Sequence, residues 1–136
     1  MKNLKEDKEL LLQDLCTRLS YNLIVQIEGC GIWNLRGIDH DDSSELRDRV
    51  IVWHGKNYPS SKNSFPIIDC KPFLFPLSSM TDEQRKEYHE LIGGMFGTSV
   101  LINFAVLEEF FHKNHLDYRD LIKKGLAIDC TNLNIY

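Results

Sequence analysis

SVLINFAVLEEFFHKNHLDYRDLIKKGLAI, residues 99–128, is the stretch on which the fold turns. Val100, Phe104, Leu107 and Phe111 recur at i, i+4, i+7 and i+11, the repeat of one helical face. Ile102, Ala105 and Val106 lie across from them, so this helix is apolar around most of its circumference. Such a helix is expected between layers and not on a surface. Glu108, Glu109, His112 and Lys113 restore polarity, which predicts a C-terminal half that emerges towards water. Thr98 or Ser99 suits the N-cap, and Asn114 suits a left-handed C-terminal position. Asp117 is placed to cap a second helix, 118–124, closed by Gly125, with Lys123 and Lys124 at the negative end of its dipole. Leu126, Ala127 and Ile128 then read as a short strand.

Working outward, Thr81 and Gln84 have the spacing of a capping box, and Asp82 and Glu83 add favourable charge to the same turn. Tyr88, Leu91, Ile92, Met95 and Phe96 extend that helix as one stripe over 81–96. Pro72 and Pro76 keep the segment between them extended. Upstream the period shortens to two. Leu23, Val25 and Ile27 alternate with polar or less buried neighbours, and further strands are expected at 32–39, 49–54 and 65–70. Gly29-Cys30-Gly31 makes the first hairpin turn, because glycine accepts positive φ. Polar stretches 40–48 and 55–64 read as loops. Pro66 marks an edge position or a strand start. Asn3 and Glu6 cap a first helix whose buried stripe is Leu4, Leu11 and Leu15, with Leu12 and Leu19 beside it. The expected fold is α+β: an N-terminal helix, a mostly antiparallel sheet of four to five short strands, and three C-terminal helices (81–96, 99–113, 118–124) packed on one face. A small SH3-like barrel from the strands of 21–70, plus helices, is the alternative.

The 136 residues fit a single domain, 1–136, large enough to bury roughly two-thirds of its unfolded surface. A net charge of −4 and a pI near 5.7 argue against general affinity for nucleic acid or anionic membranes. No apolar run approaches the roughly 18 residues needed to cross a bilayer. The first residues carry charges through their apolar positions, which is not the pattern of a signal peptide. Cys16, Cys30, Cys70 and Cys130 are far apart, form no CxxC pair, and are expected as reduced, mostly buried thiols. A cytoplasmic location follows as the expectation.

Three segments carry a resemblance: LLLQDLCTRLSY (residues 10–21), CKPFLFPLSSMT (70–81) and HKNHLDYRDLIKKGLAI (112–128). Together, over about a third of the chain, they resemble a family of small proteins of unassigned activity, abundant in gut Bacteroidetes and in their phages and prophages. The resemblance implies a bacterial or phage origin and an intracellular setting, and it supplies no catalytic residues. Phe75 stands where that family usually has a basic residue, and Asp120 where glycine is common.

Glu108, His112 and His115 are the best candidates for metal ligands, since helical spacing lets them face one way and imidazole and carboxylate suit a divalent ion. The spacing matches no known metal motif, and a solvated Glu108–His112 pair is the plainer alternative. His40-Asp41-Asp42 resembles a phosphohydrolase pair but lies in a polar turn. Cys70 beside Lys71 is the one hint of a reactive thiol. Gly93-Gly94 with Gly97 lacks the Lys-Ser/Thr of a phosphate-binding loop. Lys56, Lys62 and Lys71, interleaved with Trp53, Tyr58, Phe73 and Phe75, form the nearest approach to a nucleic-acid surface. Phe73, Phe75, Tyr118 and Arg119 are the candidates for a protein partner, because apolar edge segments invite pairing. The leading expectation is a non-enzymatic accessory protein of phage or mobile-element type, acting through protein contacts or as a homodimer and using no cofactor. A small nucleic-acid-binding regulator comes second, and a metal-dependent enzyme built on Glu108, His112 and His115 third.

Overall fold

Alternation along the chain builds the sheet. Leu23, Val25 and Ile27 are buried while Gln26 is exposed, so one face of β1 (Ile24–Ile27) meets the core. The structure, a computed structural model, describes residues 4–39, 49–53, 62–94 and 100–136. After β1 the chain reverses into β2 (Gly31–Asp39), with Ile27 opposite Gly31. Gly29 and Gly31 take φ of 76° and 88° in this turn, as the hairpin reading expects. β3 (Arg49–Trp53) pairs with β2 across a register shift between Leu35 and Gly37. β4 (Lys62–Pro66) pairs with β3 and forms one edge of the sheet, where Pro66 costs no ladder bond.

The expected strand at 65–70 is divided. Its first residues end β4, residues 67–69 form a single 3₁₀ turn, and β5 (Cys70–Pro76) begins afterwards. The proline-bounded segment is therefore a central strand. β5 lies antiparallel to β1 on one side, and receives β6 (Leu116–Asp117) and β7 (Ile128–Asp129) in parallel. Among the described residues the order β4-β3-β2-β1-β5-β6 has two ends, an open sheet and not the closed barrel of the alternative. The described residues form seven strands where four or five were expected, two of them only two residues long. Pro72, opposite Val25, has no N–H and closes the β1–β5 ladder. Just beyond it the Tyr136 hydroxyl takes over, accepting from the Ile24 N–H at 2.9 Å and donating to the Phe73 carbonyl at 2.9 Å.

Three helices are described. α1 (Leu4–Thr17) lays Leu11 and Leu15 on the inner sheet face, against Leu23, Val25, Leu35, Val50, Ile67 and Leu74 among others. α2 (Asp82–Gly94) starts with the expected capping box. Gln84 N–H donates to Thr81 Oγ1, and Gln84 Oε1 accepts from Thr81 N–H. Thr81→Ala is expected to cost about 1 kcal/mol in urea unfolding, and no measurable loss would count against the box as a stabilising element. α3 (Val100–Lys113) does not pack as its pattern suggested. Phe104 and Val106 are 52 % and 41 % exposed, whereas Phe110, Phe111 and His112 are buried. Phe110 and Phe111 are buried because there the helix meets α2, β6 and Tyr118 in a second apolar cluster with Phe75, Leu91 and Leu116.

The expected helix 118–124 is a turn, although its boundary residues behave as read. Asp117 accepts amide N–H groups from Arg119, Leu121 and Ile122. Leu126 N–H then bonds to Leu121 C=O and Gly125 N–H to Ile122 C=O, with Gly125 at φ 77°. This is a Schellman closure following one turn. The left-handed position after α3 belongs to His115 (φ 53°), while the Asn114 side chain donates to the Phe110 carbonyl. Asp120 also takes a left-handed φ, 58°. Cys70 and Cys130 are buried as expected, but Cys16 and Cys30 are exposed. Asn3, Lys56, Tyr58 and the His40-Asp41-Asp42 turn lie outside the described residues.

Candidate functional site

The apolar stripe of α1 carries Asp14, and Arg18 follows just past the helix end. Asp14 and Arg18 fall one helical turn apart beside Leu11 and Leu15, and both are fully buried. Arg18 Nε donates to Asp14 Oδ2 at 2.9 Å and Nη2 to the Leu116 carbonyl at 2.7 Å, so the guanidinium ties α1 to β6. Arg119 Nη1 donates to the other Asp14 oxygen at 2.9 Å. A single carboxylate thus stands between two guanidinium groups at the interior end of α1.

Aromatic rings enclose this triad. Tyr118 stacks on Phe111 with centroids 4.8 Å apart, and the Arg119 and Arg18 guanidinium carbons lie 4.8 Å and 5.4 Å from its ring centroid. The Tyr118 hydroxyl is hydrogen-bonded to His112 Nε2 at 2.8 Å. His115 lies flat on Tyr136, centroids 3.6 Å apart. Its Nδ1 and Arg18 Nη1 are buried without a hydrogen-bond partner among the described residues.

Electrostatics follow from this packing. Burial, reinforced by Arg18 and Arg119, lowers the His112 pKa to about 4. Burial and Arg18 lower that of His115 to about 4 as well. Burial raises the Tyr118 phenol above its usual value. Both histidines are therefore neutral at neutral pH, and neither is poised to exchange a proton there. The chemistry this centre supports is fixation: it sets the position of residues 116–119 on α1.

The sequence-derived candidates are distributed differently from their expectation. Glu108, His112 and His115 are not brought together as a metal site. One His112 nitrogen is engaged by Tyr118, and His115 is stacked on Tyr136 beyond the end of α3. Among the described residues no group of three or more His, Cys, Asp and Glu is arranged to hold a metal ion. Of the lysines, Lys71 is exposed on β5 and Lys62 lies in β4. Their strands are four sheet spacings apart, about 19 Å. The partner candidates are internally engaged: Phe73 is 3 % exposed, Phe75 and Tyr118 belong to the second apolar cluster, and Arg119 is held by Asp14. Burial raises the Cys70 pKa to about 12, which makes its thiol inert.

The residues sequence reasoning passed over are Asp14, Arg18 and Tyr136. A signal existed for the first two, since a charged i, i+4 pair within a leucine stripe has to be paired if the stripe is buried. Tyr136 offered none, because its partners Ile24 and Phe73 are distant in sequence. No family model, no curated protein and no solved structure matches the chain.

Proposed function

We propose that this protein is an accessory protein that works through protein contacts, with a second copy of itself as the first partner to test. The observation that carries this reading is the exposed stretch 104–106 of α3, where Phe104 and Val106 face water while Phe110, Phe111 and His112 of the same helix are buried. Phe104 on one side of the helix and Val106 on the other are both left open, and a second chain that covers them removes apolar surface from water. The surface differs from the one read from the sequence, but the class of function is the same. The resemblance to phage and prophage proteins supports an accessory role, and the described residues include no helix long and apolar enough to cross a membrane.

Light scattering coupled to size exclusion tests it. The wild type is expected to dimerise at micromolar concentrations, and Phe104→Glu to shift it to monomer with an unchanged circular dichroism spectrum. A wild type that stays monomeric at high concentration, and retains no protein partner that Phe104→Glu loses, would sink the reading. Retention of nucleic acid at low salt, weakening as salt rises, would instead favour the regulator.

A further inference from the structure

A cleft of about 200 Å³ opens between the first turns of α1, the 67–69 turn, the start of β5 and the Gly125–Leu126 closure. Leu11, Ile68, Cys70 and Leu126 make its apolar lining, and Lys8, Lys71 and Asp7 complete it. We propose that this cleft binds a small carboxylate with a compact apolar body, carboxylate towards Lys71 and body against Leu11, Ile68 and Leu126.

Size sets the first limit. An apolar cavity of about 150 Å³ accepts benzene, so this one holds a phenyl ring or a chain of roughly five to seven carbons. Drug-sized ligands occupy about 300–1,000 Å³ and are too large. Charge sets the second. Lys71 stands exposed at the cleft and offers a carboxylate its cation, in a protein whose net charge is −4. Lys8 is only 8 % exposed with its ammonium buried, so it serves the cleft as wall.

Ile68 is 49 % exposed, a large aliphatic side chain left open at a concave surface. An apolar ligand body would cover it. The Cys70 thiol, held protonated by burial, serves as wall and not as nucleophile. Gly125, at φ 77°, forms the closure that presents Leu126 to the cleft. The same chemistry, a carboxylate beside one apolar group, is offered by a free short-chain or aryl acid and by the C-terminal residue of a peptide.

Titration of the ¹⁵N-labelled full chain with hexanoate, 3-phenylpropionate and an N-acetylated tripeptide ending in phenylalanine tests the proposal. Saturable amide shifts are expected at Leu11, Ile68, Lys71, Gly125 and Leu126, with a Kd near millimolar for ligands of this size. Lys71→Glu should weaken binding at least tenfold, and Ile68→Ser at least threefold. Both positions are exposed, so unchanged spectra away from the cleft will show that the fold persists. The neutral 3-phenylpropanamide should bind at least fivefold more weakly than its acid. Binding of the free acids alone assigns a free metabolite, and binding of the tripeptide assigns a peptide C-terminus. Shifts spread over the whole surface, equal binding of acid and amide, equal binding by Lys71→Glu, or no binding by any of the three ligands would overturn it.

Discussion

Asp14→Ala is expected to lower the free energy of unfolding by about 3–5 kcal/mol, because it breaks a buried charge arrangement from one side only. Arg18 is wholly buried and Arg119 partly so, and both direct a nitrogen to that carboxylate. Without it, two positive groups face each other beside Tyr118 with no counter-charge. The midpoint of urea unfolding should fall sharply with an unchanged slope. A loss below 1 kcal/mol would mean that the triad is not assembled as described. The double variant Asp14→Leu with Arg18→Met should be less destabilised than Asp14→Ala alone. Removing charge and counter-charge together avoids the dehydrated orphan that makes the single change so costly.

Stability should also fall on mild acidification. His112 and His115 have folded pKa values of about 4, below the 6.5 of an unconstrained histidine. Between those limits the unfolded chain binds more protons than the native one, so stability rises with pH. The full contribution is present above about pH 6.5 and is lost progressively down to about pH 4. For the pair this amounts to about 2–4 kcal/mol between pH 7.5 and pH 5. His115→Phe keeps a ring against Tyr136 and removes one titration, and should roughly halve the slope. His112→Gln should act similarly while retaining a partner for the Tyr118 hydroxyl. Unfolding free energies that agree within 0.5 kcal/mol across the range, or a slope untouched by both substitutions, would contradict the buried neutral histidines.

What the sequence revealed of the fold was local. The Thr81–Gln84 box, the glycines of the first hairpin and the Asp117 and Gly125 boundaries all depend on residues a few positions apart, and all lie where the pattern placed them. Errors arose where distant partners decide. α3 carries apolar residues all round, and periodicity alone has no means of choosing which half meets α2 and β6. Two prolines argued for an extended segment without revealing that β1, β6 and β7 would gather on it. The candidate histidines were grouped by helical spacing, but the helix ends at Lys113 before His115 is reached. The chain turns left-handed at His115, and that rotation sends the second imidazole to Tyr136. The triad beneath them depends on Leu116 and Arg119 reaching α1 from about a hundred residues away.

That separation bears on how the molecule assembles. The first helix can wind within microseconds of its own synthesis, yet its arginine has nowhere dry to go until a carbonyl 98 residues later comes alongside. The middle strand likewise waits for neighbours contributed from both flanks of the sequence. Closure should therefore be late and concerted, on the millisecond-to-second scale of chains ruled by remote pairings. A fragment lacking the final third would keep its early helix hydrated and loosely attached, and the native protein should open from that seam first under force or denaturant.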